Sequence, residues 1–191
     1  MGYLTFCQLE SMNFKKLGKQ VKISDKASIY NPEQIEINDH SRIDDFCVIS
    51  GKITVGMYVH IAAFCLIAGG DEGIIIDDFS GISYGSQVFS QSDDYSGVFM
   101  YSPLIPEEYK NVYKAKVKIN RHVIVGASSV ILPGITIGEG CSIGAMTLVT
   151  KETAPWGIYT GIPARRIKEK KKDLLLLEEK FMQQNAIARS L

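Results

Sequence analysis

The chain lacks any apolar run approaching the ~18 residues that a membrane-crossing helix needs, so no membrane span is expected. It also lacks an excess of either charge. Lys and Arg together number 21, Asp and Glu together number 21, and the formal net charge is zero. Such a balance gives no electrostatic ground for binding nucleic acid. It leaves association between copies unopposed, which suits an oligomer. Residues Met1 to Glu10 lack the basic start and long apolar stretch of a secretory leader, so a cytoplasmic protein is expected. Cysteine is scarce, and Cys7, Cys47, Cys65 and Cys141 form no CxxC pair. That spacing argues against a zinc site or a disulfide framework. Histidine is scarcer, with three in the chain. A metal-dependent hydratase would need about three converging on one ion, and His40, His60 and His122 are not spaced for that. No metal is expected.

What the chain does have is a step of six. Ile37, Ile43 and Ile49 mark it, then Val55, Ile61 and Ile67, then Ile76, Ile82 and Val88. It runs unbroken through Ile119, Val125, Ile131, Ile137, Ile143 and Val149, and Ile23 and Ile29 extend it toward the N-terminus. Four places after each aliphatic stands a small residue in most repeats, as at Ser41, Cys47, Cys65, Ser80, Ser86, Ser129, Cys141 and Thr147. A period of six fits neither an amphipathic helix nor a long alternating strand. It fits short strands joined by tight turns, with the aliphatic inward and the small residue at a corner. Three units close a triangular coil, and Ile119 to Ile137 is such a coil of 18 residues. Val55 to Ile76 is 21, which places a three-residue insertion near Gly69-Gly70-Asp71-Glu72-Gly73. The expected fold is an all-β solenoid, a left-handed parallel β-helix in which each coil is buried by its neighbours. Cys47, Cys65 and Cys141 are then small interior residues rather than catalytic thiols.

The stretch from Val125 to Lys151, followed by Gly161-Ile-Pro-Ala-Arg165, resembles the C-terminal signature of the hexapeptide-repeat acyltransferases, in particular sugar O- and N-acetyltransferases of the galactoside acetyltransferase type. The resemblance covers roughly residues 20 to 170 and is most specific at its C-terminal end. It implies acetyl-CoA as co-substrate, a sugar or nucleotide-sugar acceptor, and a homotrimer with sites between subunits. Coenzyme A would lie along the last coils. Carried over by motif, its pantetheine would meet Ala127, Gly144 and Ala145, with Thr150 and Lys151 after the last repeat. Arg165 and Lys168 would stand near its phosphates. Close packing between coils accounts for the three small residues equally well.

The organisation follows from where the step fails. Residues 1–20 read as an N-terminal cap, 21–165 as the β-helix, and 166–191 as a C-terminal helix with an apolar stripe at Leu174 to Leu177 and Phe181. Between Val88 and Ile119 the repeat breaks, and 90–117 reads as one external loop containing Pro103, Pro106 and several tyrosines. A long excursion from a solenoid is usually functional or disordered, and the aromatics argue against disorder. In the resembled family such a loop reaches toward the acceptor site.

Acyl transfer needs a held thioester, an aligned acceptor and a base for the departing proton. Many relatives carry a histidine at the start of the loop. This chain has Ser90-Gln91-Ser92-Asp93-Asp94-Tyr95 there instead. Asp93 or Asp94 could serve as the base if burial or neighbours raise a carboxyl pKa from about 4. They could equally be turn residues bonding backbone amides, or could orient an acceptor amine. Of the histidines, His40 and His122 fall at turns, whereas His60 occupies an outward position one coil before the loop; it is the first choice for a base among them, although a structural role fits it as well, and a neutral amine acceptor would need no strong base. The lone Trp156 fits an anchor where the chain leaves the solenoid. The leading expectation is an acetyl-CoA-dependent sugar acetyltransferase. The alternative is a non-catalytic scaffold that kept the fold and lost the loop histidine.

Overall fold

Residues 2–188 are described by the computed structural model. The side chains of 186–188 are not described, and Met1 of the expected cap and residues 189–191 of the expected helix lie outside the described range. Three sheets of six, eight and six strands, parallel except for the last strand of the second, form the walls of a solenoid. The first wall includes Ile35–Ile37, Ile53–Val55, Ile74–Ile76 and Val117–Ile119; the second includes Arg42–Ile43, His60–Ile61, Gly81–Ile82 and Ile124–Val125; the third includes Val48–Ser50, Leu66–Ala68, Gln87–Phe89 and Val130–Ile131. This is the parallel β-solenoid that the step of six predicts, and it is consistent with a left-handed helix.

Register follows the aliphatics. Ile43 pairs with Ile61, Ile61 with Ile82, Ile82 with Val125 and Val125 with Ile143, each no more than 2% exposed. The three-residue insertion is absorbed by a glycine turn, in which the Gly73 amide donates to the Gly69 carbonyl at 2.8 Å. A Cβ on Gly69 would sit 2.3 Å from the Lys52 carbonyl oxygen, and Gly70 and Gly73 have positive φ, a conformation in which glycine carries no steric cost. Across the long excursion the ladder resumes in register, because Ile76 pairs directly with Ile119. The excursion is therefore an insertion into an otherwise continuous solenoid.

The small residues at the corners carry hydrogen bonds between coils. Ser41 Oγ donates to the Gly56 carbonyl at 2.6 Å and accepts from the Val59 amide at 3.0 Å. Ser129 Oγ donates to the Gly144 carbonyl at 2.8 Å. Cysteine fills the same slot: the Cys47, Cys65 and Cys141 sulfurs each lie 3.1 Å from a carbonyl oxygen of the next coil. All three are buried. The neighbouring Cys65 sulfur and burial push the Cys47 thiol up, away from the reactive thiolate.

Two ends and one corner are covered. Helix α1, Phe6–Ser11, opens on a capping box between Thr5 and Gln8 and inserts Leu9 into the core. Strand pairing begins at Lys16–Leu17, inside the expected cap, because Leu17 continues the step of six below Ile23. At the other end residues 165–169, the last four of them expected in the helix, form a strand antiparallel to Gly157–Thr160. Helix α2, Leu174–Ala188, starts only after it. The chain turns at Gly161-Ile162-Pro163, so its backbone amides meet the open edge of the second sheet before a helix can form.

α2 then runs against a ladder of rings at the corner between the first and second walls. His40, Tyr58 and Phe79 stack at centroid spacings of 4.7 and 5.1 Å, His122 follows at 5.5 Å, and Trp156 lies 6.4 Å beyond. All five have positive φ. A left-handed residue costs about 1–2 kcal/mol, and an aromatic pair returns about 0.5–1.5 kcal/mol beyond its burial. The stack thus offsets part of the strain of these corners.

Candidate functional site

The excursion leaves the third wall and folds on itself. Gln91–Ser92 pairs antiparallel with Tyr113–Lys114. Lys114 is anchored to Asp71 at 2.8 Å and Lys110 to Glu107 at 2.6 Å. Asp94 is committed to the turn. Its carboxylate accepts the Ser96 amide at 2.6 Å and lies 3.4 Å from Asn111 Nδ2. Hydrogen bonding from Ser96, side chain first and backbone second, holds the Asp94 carboxyl below the usual range. That is the opposite of what a base near neutral pH requires.

Asp93 is placed differently. A groove of about 510 Å³ runs between the excursion and the third wall, floored by Ala68, Phe89, Val130 and Leu132 and edged by Ser92 and Asp93. A cavity of about 770 Å³ inside the excursion is bordered by Asp93, Tyr95, Phe99 and Tyr101. A third, of about 380 Å³, holds Asp93 with Lys110 and Lys114. Asp93 therefore stands where all three spaces meet.

His60 lies on the second wall, facing outward, with its side chain 42% exposed. Asp44, whose side chain is 2% exposed, holds it: Oδ2 is 2.7 Å from His60 Nε2. Arg42 lies 2.9 and 3.0 Å from the two oxygens of the same carboxylate, and its guanidinium is 2.8 Å from His60 Nε2. The sequence reading missed Arg42 and Asp44. The available signal was the slot of Asp44: the residue after the buried aliphatic is Ala62, Ser83, Gly126 and Gly144 in other coils, and only a charged residue with a structural partner could be buried there. Among the described residues, no hydrogen bond or ion pair connects His60 with Asp93. The remaining histidines belong to the ring ladder at the first corner.

Of the residues carried over for coenzyme A, one set is contiguous. Ala127 and Ala145 stack one coil apart at the corner between the second and third walls, where the Met146 amide donates to the Ala127 carbonyl at 2.8 Å. Gly144 abuts Thr160, whose hydroxyl would lie 2.9 Å from an added Cβ. Thr160 in turn pairs with Arg165, and Ile158 with Lys168, both basic residues exposed on the added strand. Thr150 and Lys151 stand apart, following Leu148–Val149 on the third wall. Trp156 is 8% exposed, and a Cβ on Gly140 would fall 2.5 Å from its ring. It anchors the exit from the solenoid. Among the described residues no group of three or more His, Cys, Asp or Glu side chains is placed to hold a metal ion. No helix among them is long and apolar enough to cross a membrane.

Residues 116–151 match the family model described as bacterial transferase hexapeptide (six repeats). The dTDP-4-amino-4,6-dideoxy-D-glucose acyltransferase of Escherichia coli is 42% identical over 184 residues, covering 95% of each chain. The galactoside O-acetyltransferase of Escherichia coli strain K12 is 34% identical over 97 residues, half of this chain and 47% of that one. Among solved structures, AntD, an N-acyltransferase from Bacillus cereus in complex with dTDP and 3-hydroxybutyryl-CoA, aligns with a TM-score of 0.95 at 44% identity, covering 96% of this chain and 98% of that one.

Proposed function

Because the chain belongs to the hexapeptide-repeat transferases, an acyltransferase by descent, we propose that it transfers a short acyl group, acetyl in the simplest case, from coenzyme A to the amino group of a dTDP-linked 4-amino-4,6-dideoxy sugar. The observation that carries this reading is the near full-length 42% identity to the dTDP-4-amino-4,6-dideoxy-D-glucose acyltransferase of Escherichia coli. The scaffold alternative lapses with it. The cytoplasm is the compartment proposed, since it supplies coenzyme A thioesters.

The chain's own geometry supports the reading in three ways. Asp93 puts a carboxylate where the groove and both excursion cavities meet, and such a group orients an acceptor amine by charge-assisted hydrogen bonding. Ala127 and Ala145 set small side chains at one corner of the last coils, leaving room for pantetheine, and among the described residues Lys151, Arg165 and Lys168 have no acidic partner, as phosphate contacts require. His60 offers a base.

His60 and Asp93 stand on different walls, and we place them in one site across the interface of a homotrimer. The excursion leaves Tyr95 92%, Leu104 90% and Val98 75% exposed. Apolar surface of that kind marks an interaction site, and a second copy is the occupant the family suggests. In the reaction the acceptor nitrogen attacks the thioester carbonyl, a C–N bond forms and the C–S bond breaks. The proton lost by nitrogen passes to His60 and from there to the departing thiolate. Backbone amides suffice for the oxyanion.

The test is turnover. Incubating the protein with dTDP-4-amino-4,6-dideoxyglucose and either acetyl-CoA or 3-hydroxybutyryl-CoA should release free thiol and yield the amide. Absence of thiol release with both donors, together with absence of coenzyme A binding by calorimetry, would overturn the reading.

A further inference from the structure

Asp44 is a buried carboxylate in a slot that other coils fill with glycine, alanine or serine. Burying it costs several kcal/mol unless it is paired, and its partners are Arg42 and His60. The hydrogen-bond logic fixes the imidazole. A carboxylate oxygen can only accept, so the 2.7 Å contact with Asp44 Oδ2 is a hydrogen bond when His60 Nε2 carries the proton, and the buried carboxylate favours that tautomer. The guanidinium nitrogen 2.8 Å from Nε2 is itself a donor, so in that tautomer it faces another donor and is held there by its bonds to the Asp44 carboxylate. Neutral His60 is held as the Nε2–H tautomer, and Nδ1 keeps its lone pair. Among the described residues no hydrogen bond engages Nδ1.

The surroundings leave that nitrogen room. On the next coil the residue paired with His60 is Gly81, and a Cβ built on it meets nothing within 4 Å. Beyond it Ile124 is 50% exposed. A hollow thus opens beside the imidazole on the side away from Asp44. The charged groups against the ring are Arg42 and Asp44, both from the preceding coil.

We propose that Asp44 and Arg42 are positioning residues for acyl transfer, with the buried Asp44 carboxylate fixing the His60 tautomer and Arg42 fixing Asp44, so that Nδ1 takes the acceptor's proton from the hollow over Gly81. The proposal rests on the reading of His60 as the base. The two neighbours act on that base in opposite senses. The carboxylate stabilises the imidazolium that forms, and the guanidinium opposes it. If the trio merely stapled two coils, removing either charge would leave the pH profile of kcat/KM unmoved.

The experiment is the pH dependence of kcat/KM for the full-length protein with acetyl-CoA and dTDP-4-amino-4,6-dideoxyglucose. H60A should lose about 100-fold, the lower end for a lost general base, and D44N, which leaves the base in place, about 10-fold. In D44N the acidic limb should move to lower pH, and in Arg42→Met to higher pH. The double variant H60A/D44N should be no slower than H60A. If D44N and R42M both keep the wild-type limb while H60A is impaired, the positioning role is overturned and the base reading survives. If H60A retains full turnover, the base reading itself fails, and the positioning role with it, while acyl transfer stands on its own assay. Should D44N fail to fold, the R42M limb decides: an unmoved limb overturns the proposal.

Discussion

Glu178 of α2 reaches back to the solenoid and sets Oε2 2.9 Å from Nε2 of His122, a residue otherwise buried in the ring ladder. Glu178 also pairs with Arg121. One turn further on, Phe181 meets Tyr58 edge-on at 5.2 Å and Phe79 at 6.5 Å. The helix is therefore held at a single corner, with the Glu178 carboxylate and the Phe181 ring its main anchors and Asn185 reaching the Tyr58 hydroxyl at 3.5 Å. Phe181→Ala should cost about 1–3 kcal/mol, from two edge-to-face pairs worth about 0.5–1.5 kcal/mol each. Hydrogen exchange across 174–185 should accelerate before the solenoid core exchanges. Equal acceleration in both would mean that α2 and the coils unfold as one unit.

Acid should loosen the excursion first. Hydrogen bonding from Lys114 lowers the Asp71 carboxyl, Lys110 does the same for Glu107, and Ser96 for Asp94. Each folded-state pKa lies below its unfolded value. The stabilisation is therefore full above the unfolded range near about 4 and is lost as pH falls through the lower folded values. The coils from 119 to 149 depend on stacked aliphatics and backbone ladders, which do not titrate, whereas Glu36 and Asp45, lowered in the same way by Lys15 and Ser24, lie on the early coils. Limited proteolysis by an acid-active protease at pH 3 should cut within 93–112 while the coils remain intact. Cutting first between 119 and 149 would contradict this.

How legible all this was depends on what repeats. The step of six exposed the solenoid, its register and the slots of Cys47, Cys65 and Cys141, because every coil meets the same packing problem. The insertion at 69–73 and the excursion after Val88 appeared as breaks in that step. The ladder of rings at His40, Tyr58, Phe79, His122 and Trp156 was in the sequence too, but its spacing is irregular wherever a coil is lengthened. The strand at 165–169 was hidden, since Arg165-Arg166-Ile167-Lys168-Glu169 carries no core residue and pairs only through its backbone. The network of Arg42, Asp44 and His60 was hidden for a related reason. It joins residues on adjacent coils, and one break in the small-residue slot at Asp44 was its single sequence signal.

Asp93→Asn keeps the size of the side chain and removes its charge. If Asp93 orients the acceptor amine, kcat/KM for the amino sugar should fall by about 10-fold or more, the value of one charge-assisted hydrogen bond at about 1.5–3 kcal/mol. Coenzyme A affinity should not change, since the carried-over cofactor residues stand on the last coils. Asp94→Asn should mainly loosen the turn at Ser96. An Asp94→Asn loss exceeding that of Asp93→Asn would reverse the two roles.

Subunit mixing tests whether His60 and Asp93 act across an interface. In a closed ring of three, each site would take His60 from one copy and Asp93 from its neighbour. H60A and D93N homotrimers would then each be impaired at every site. When the two are unfolded, mixed in equal amounts and refolded, a site is intact where a D93N copy supplies His60 to an H60A copy that supplies Asp93. Random assembly makes roughly a quarter of the sites intact, so roughly a quarter of the wild-type activity should return. If both residues serve the site of their own chain, no mixture restores an intact pair, and activity stays at the level of the parents. The wild-type protein taken through the same refolding sets the scale, so a poor yield cannot imitate the second outcome.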